Sequence, residues 1–111
     1  MSKLNKKVDY HKNGNTKKEH YRLNDKFHRE DGPAIIHYYS NGNISNEYYC
    51  LNGLFHRENG PAGINYYENG NVQSEDYYLN GEPLTKEEYQ IKMFKVFEQQ
   101  FHKELEEAIY E

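Results

Sequence analysis

An offset of 28 residues superposes the chain on itself without gaps, and that repeat limits the fold more than any other feature. It matches Tyr10-His11-Lys12-Asn13-Gly14 to Tyr38-Tyr39-Ser40-Asn41-Gly42 and to Tyr66-Tyr67-Glu68-Asn69-Gly70. It also aligns Glu19, Glu47 and Glu75; Tyr21, Tyr49 and Tyr77; Leu23, Leu51 and Leu79. Phe27-His28-Arg29-Glu30-Asp31-Gly32-Pro33-Ala34 falls on Phe55-His56-Arg57-Glu58-Asn59-Gly60-Pro61-Ala62. About two and a half copies are present, and periods of this size mark supersecondary units that stack on their neighbours.

The glycines identify the unit. Asn-Gly or Asp-Gly pairs stand at 13–14, 31–32, 41–42, 52–53, 59–60, 69–70 and 80–81, and Asn24-Asp25 fills the slot that lacks Gly. Two-residue hairpin turns need positive φ at both central positions, which Asn-Gly supplies at least cost. In the central copy this predicts antiparallel strands over residues 34–39, 44–51 and 54–57, with Pro33 and Pro61 just after turns, where a missing N–H is tolerated. Tyr49 and Leu51 share one strand parity with their repeat equivalents, while the other parity varies (His20, Tyr48, Asp76; Arg22, Cys50, Tyr78). The invariant parity is the expected core side.

After Pro83-Leu84 the period changes. Thr85-Lys86-Glu87-Glu88 is a capping box. Tyr89, Met93, Val96, Phe97, Phe101, Leu105, Ala108 and Ile109 follow at helical steps, so a helix should run to about Ile109. The expected fold is mainly β with a C-terminal α-helix: an antiparallel β-meander over residues 1–84, with 1–8 a flexible basic tail, capped by an amphipathic helix over 85–111.

The run Tyr66-Tyr67-Glu68-Asn69-Gly70-Asn71-Val72-Gln73-Ser74-Glu75-Asp76-Tyr77-Tyr78-Leu79-Asn80-Gly81 resembles a MORN-type repeat, in particular the MORN-like repeats of the YwqK-type antitoxin-like family. The likeness covers residues 10–84. The Phe-His-Arg-Glu-Asp/Asn-Gly-Pro-Ala insertion departs from the plain pattern and is similar to repeats in phage, viral and bacterial proteins. The resemblance implies a protein that binds and silences another protein, or a scaffold, with no catalytic residues.

Composition agrees with a thin fold. The 111 residues are only 35% apolar, and 12 of them are Tyr, which carry a hydroxyl to any surface they cover. Cys50 is the lone cysteine, so no intrachain disulfide can form. With no signal-like or membrane-length apolar run, the expectation is a cytoplasmic chain, in the host cytoplasm if phage-encoded. The net charge of −4 hides a division: residues 1–29 hold nine Lys/Arg against three acids, and the remainder five against fifteen. Such asymmetry suits a polar partner or head-to-tail attraction between copies.

Chemistry finds little footing. His28-Arg29 and His56-Arg57 occur twice, as structural devices do and active sites usually do not; each is expected to bridge strands through Glu or a turn carbonyl. His11, His20, His28, His37, His56 and His102 lack close metal-ligand spacing, so no metal or other cofactor is expected. No Gly-rich phosphate loop occurs. Protein binding is the favoured function: Tyr39, Tyr48, Tyr67 and Tyr78 are candidate outward anchors. Glu98, Glu104, Glu106, Glu107 and Glu111 on the helix form a candidate acidic surface for a basic partner such as a nuclease or RNA-binding protein. The small size and composition suit a phage or mobile-element inhibitor of a host defence nuclease, and the resemblance implies an antitoxin-like form of the same role. The alternatives are a nucleic-acid-binding accessory protein using the basic patch Lys6, Lys7, Lys12, Lys17, Lys18 and Arg22, or a self-assembling repeat scaffold, a homodimer included.

Overall fold

The computed structural model describes residues 3–110 and is mainly antiparallel sheet with one C-terminal helix. Strands β1 (Leu4–Tyr10), β2 (Thr16–Leu23), β4 (Ile35–Tyr38), β5 (Ile44–Tyr48), β8 (Gly63–Tyr66), β9 (Val72–Leu79) and β10 (Glu82–Leu84) lie in that order across one sheet, with β3 (Lys26–Phe27) paired to β2. A second sheet is the hairpin of β6 (Cys50–Leu51) and β7 (Leu54–Phe55). Helix α1 spans Lys86–Tyr110. The radius of gyration is 17.4 Å, against about 13 Å for a globule of this length, so the repeats extend along a line rather than wrapping a common centre.

The 28-residue offset reappears in the register. Glu19 faces Ile36 as Glu47 faces Ile64, and a bulge follows the same repeat position in β1, β4 and β8. The turns divide into two kinds. Asn24-Asp25, Asn52-Gly53 and Asn80-Gly81 have positive φ at both residues, as expected for two-residue hairpins. At 13–14, 41–42 and 69–70 only the glycine has positive φ. There the Tyr39 N–H donates to Asn43 O and the Gly42 N–H to Tyr39 O, closing a three-residue loop with the glycine at its bulge. The pairs at 31–32 and 59–60 make no hairpin. They lie in loops 28–33 and 56–61, where Arg29 and Arg57 fold back so closely that a Cβ on Gly32 would sit 2.9 Å from the Arg29 guanidinium carbon.

Residues 4–8, expected in a flexible tail, form most of β1, because Lys7-Val8-Asp9-Tyr10 fill the repeat slot of Ile35-Ile36-His37-Tyr38. Met1 and Ser2 lie outside the described residues. The expected core parity is also corrected. Cys50, placed outward by alternation, is 2% exposed, while Tyr48, Tyr49 and Leu51 are all half-buried. The pleat is interrupted at Tyr49, where the chain leaves the main sheet for the β6–β7 hairpin, and alternation does not carry across that break. Both sheet faces are therefore partly covered. Ala34 and Ala62, fully buried, and Ile36 and Ile64, nearly so, form a narrow repeated core.

The helix starts as its capping box requires: the Thr85 N–H donates to the Glu88 carboxylate at 3.0 Å, and the Glu88 N–H to the Thr85 hydroxyl at 3.1 Å. It meets the sheet through its first turns alone. Tyr89 is 5% exposed, with its ring 4.8 Å from that of Tyr77, whereas Phe94, Phe97, Phe101, Leu105 and Ile109 all face solvent. The expected cap thus covers one end of the last repeat, and the rest of a rod about 37 Å long stands clear.

Because Tyr48 stacks on Phe55 and Tyr49 lies under Arg57, Tyr48→Ala and Tyr49→Ala should each cost about 2–3 kcal/mol, read as comparable falls in Tm. A Tyr48→Ala chain as stable as the unsubstituted one would restore the outward assignment.

Candidate functional site

A repeated set of polar side chains links one repeat to the next. His28 Nδ1 accepts the Asn52 N–H at 2.9 Å, and His56 Nδ1 accepts the Asn80 N–H at 2.9 Å. Each ring therefore carries its proton on Nε2, facing Glu30 at 3.6 Å or Glu58 at 3.4 Å. Beside these, Gly53 donates to Phe27 O and Gly81 to Phe55 O, while the Arg29 and Arg57 N–H groups donate to Cys50 O and Tyr78 O. The two guanidiniums lie 4.1 Å and 3.9 Å from the ring centres of Tyr21 and Tyr49 and donate to the carbonyls of Pro33 and Pro61. The groove between loops 28–33 and 56–61 is lined by Arg29, Glu30, Tyr49, His56, Arg57 and Glu58, with both guanidiniums and the His56 Nδ1 engaged in the links above. Burial pushes the Cys50 thiol up to about 11, away from reactive thiolate.

The four candidate tyrosines do not form one surface. Tyr39 donates its hydroxyl to Tyr66 O at 2.6 Å. Tyr48 and Tyr78 sandwich Phe55, with ring centres 5.5 and 5.1 Å away. Tyr67 alone is exposed, at 50%, because no further repeat receives it. The basic patch is likewise divided. Lys6 reaches Glu19 at 3.6 Å and Lys18 reaches Asp9 at 3.4 Å, while Arg22 lies over the Phe27 ring. Strand parity puts Lys6 and Lys17 on one face and Lys7, Lys18 and Arg22 on the other, with Lys12 at a loop tip.

On α1, Glu98, Glu104, Glu106 and Glu107 are exposed, but only Glu104 and Glu107 have the spacing of neighbours on one side. Glu98 lies 3.9 Å from His102, and Gln100 donates to Glu104 at 3.1 Å. Glu111 lies outside the described residues. What the acids flank is a continuous apolar stripe: Ile91, Phe94, Phe97, Phe101 and Leu105, each 45% exposed or more. Sequence periodicity picked out Phe97, Phe101 and Leu105 but not Ile91 or Phe94, and it did not give the direction of the helix. No helix among the described residues is long and apolar enough to cross a membrane, and among the same residues no three His, Cys, Asp or Glu side chains converge as metal ligands do.

Two further clusters escaped the sequence reading. Glu19 accepts the hydroxyls of Tyr38 at 2.8 Å and Tyr21 at 3.1 Å, and Glu47 accepts that of Tyr66. Burial, then the Glu19 carboxylate, pushes the Tyr38 phenol up to about 12. On the opposite face the imidazoles of His20 and His37 share a hydrogen bond of 3.2 Å, with His20 edge-on to Phe27. No family model, curated protein or solved structure matches the chain.

Burial holds His20 and His37 below the usual histidine range, helped by the charge of Lys18 on both and by His37 and Arg22 on His20. A depressed folded pKa means the unfolded chain takes up the proton first, so stability is full above about pH 6.5 and falls as pH drops below it. Denaturant midpoints measured between pH 7.5 and pH 5 should decline. His20→Gln should flatten the decline, and an unchanged slope would mean the pair is not its source.

Proposed function

We propose that this chain is a non-enzymatic protein-binding module, a small inhibitor that acts by occupying its target, and that α1 is the element that docks. The observation that carries the reading is the unpartnered stripe of Ile91, Phe94, Phe97, Phe101 and Leu105, held out from the sheet by a single buried contact at Tyr89. Contiguous exposed apolar surface is rare on a soluble chain and marks an interaction site, and an amphipathic helix laid into a groove is a recurrent mode of recognition. The flanking Glu98 and Glu104 suit a basic rim on the target, as a nuclease or RNA-binding protein would present. The likeness to antitoxin-like MORN repeats points the same way, and an anti-defence role on a host nuclease is the form we favour. Nucleic-acid binding gains less support, since Lys6, Lys18 and Arg22 are engaged within the chain and the basic residues divide between two faces.

The test is to capture the partner from the native host and titrate its activity. Inhibition should be complete near equimolar ratio, and Phe97→Glu with Phe101→Glu should weaken it at least about a hundredfold, as for the loss of two buried aromatic anchors, with the melting curve of the sheet unchanged. Full effect at a small fraction of the target's concentration, or capture indifferent to the two substitutions, would reject the reading.

A further inference from the structure

The sheet leaves an open strand edge at each end, at positions that face each other in successive repeats. Residues 72–76 of β9 pair with β8 on one side, but β10 covers β9 only at Tyr77, Tyr78 and Leu79. In the equivalent place β5 pairs with β8, the first strand of the following repeat. At the other end β1 is itself a first strand, equivalent to β4 and β8 down to the bulge before Tyr10, Tyr38 and Tyr66, and its outer edge is open. Residues 72–76, Lys7 and Tyr10 are all exposed.

We propose that copies of this chain associate head to tail, β9 of one copy pairing antiparallel with β1 of the next, so that the repeat continues across the junction. Shifting the β5–β8 register by one repeat places Ser74 opposite Asp9, Glu75 opposite Val8 and Asp76 opposite Lys7. The side chains that link repeats within the chain are present at both ends as unmatched halves. Tyr38 donates to Glu19 and Tyr66 to Glu47; the next such pair is Tyr10, 64% exposed, with Glu75, and among the described residues neither has a hydrogen-bond partner for that group. Tyr39 donates to Tyr66 O, and its equivalent Tyr67 would reach Tyr10 O. Asn41 and Asn43 donate to Glu68 O, and Asn69 and Asn71 would reach Lys12 O.

Charge selects this pairing over the others. Two β1 edges would oppose Lys6 and Lys7 to their own kind, and two β9 edges would oppose Glu75 and Asp76 to theirs, whereas β9 against β1 sets Asp76 against Lys7. Such a contact is heterologous: each copy keeps one free head and one free tail, so growth is open-ended rather than closed at a dimer. It is also small, since β10 takes over the edge at Tyr77, and belongs among weak associations. The inference does not depend on what α1 binds.

The experiment is sedimentation of the full chain over about two decades of concentration, at low and high salt. Mean mass should rise continuously without a plateau at dimer, and less steeply in high salt. Lys7→Asp and Asp76→Lys lie at exposed positions and should each weaken association about tenfold, through like charges set opposite across the junction. The chain carrying both should regain it. Tyr10→Phe should weaken it as well, whereas Phe97→Glu with Phe101→Glu should assemble like the unsubstituted chain, which separates this contact from the helix. Melting curves show whether each variant is folded; Asp76→Lys and Tyr10→Phe carry the test if Lys7→Asp does not fold. A monomer at every concentration, a closed dimer indifferent to Lys7→Asp and Asp76→Lys, or a double variant that stays as weak as the single ones would overturn the proposal.

Discussion

The structure depends on one kind of interaction: a polar side chain of one repeat satisfied by a group of the next. His28 caps the turn at Asn52, Tyr39 reaches Tyr66 O, Asn41 and Asn43 share Glu68 O, and the hydroxyls of Tyr38 and Tyr66 close on the carboxylates of Glu19 and Glu47. A core whose repeated part is two alanines and two isoleucines, with Cys50 and Tyr89 beside it, is too narrow to set the register of strands this short. Directional hydrogen bonds can, because a slip of one residue would break every one of them at once. Tyrosine is the natural residue for such a fold, since its ring covers area while its hydroxyl makes the link. The scarcity of apolar residues and the abundance of tyrosine and asparagine thus have one cause.

The repeat, the positive-φ turns at 24–25, 52–53 and 80–81 and the capping box at Thr85 were legible because each rests on local chemistry written within a few residues. What failed needed information from outside the window. Asn-Gly reads alike at 41–42 and 52–53, yet the first closes a three-residue loop and the second a two-residue turn, because the bulge before Tyr38 changes the strand ending that each must join. Alternation misplaced Cys50 because the pleat stops at Tyr49. The start of β1 was hidden by composition: its lysines read as a solvated tail, although the 28-residue offset sets Val8 where Ile36 and Ile64 stand, as the register with β2 bears out.

The candidate surface was legible in content and not in placement. Phe97, Phe101 and Leu105 of α1 were visible in a periodic stripe that passed over Ile91 and Phe94, but periodicity cannot say whether a stripe lies on its own sheet or points away from it. Conversely, tyrosines chosen for lying on the variable parity turned out to serve the repeats, and only Tyr67, at the open end, is left without a successor. In a repeat array the position along the stack, more than strand parity, decides whether a side chain is spent on the fold or free for a partner.

That reasoning also accounts for how the array stops. In the first two repeats an arginine lies over the aligned tyrosine, Arg29 on Tyr21 and Arg57 on Tyr49. The third tyrosine, Tyr77, meets Tyr89 instead, whose hydroxyl donates to Arg57 O at 2.7 Å and accepts the Gly60 N–H at 3.1 Å. The ring replaces the guanidinium and satisfies the backbone of the preceding loop, so the chain turns into a helix without leaving a buried polar group unmatched. That replacement completes the last repeat where the loop would lie and leaves the strand edge beyond it unpaired. The termination is therefore one-sided: it closes the end of the repeat against water while keeping residues 72–76 able to take another strand, and it sends the apolar stripe of α1 away from both.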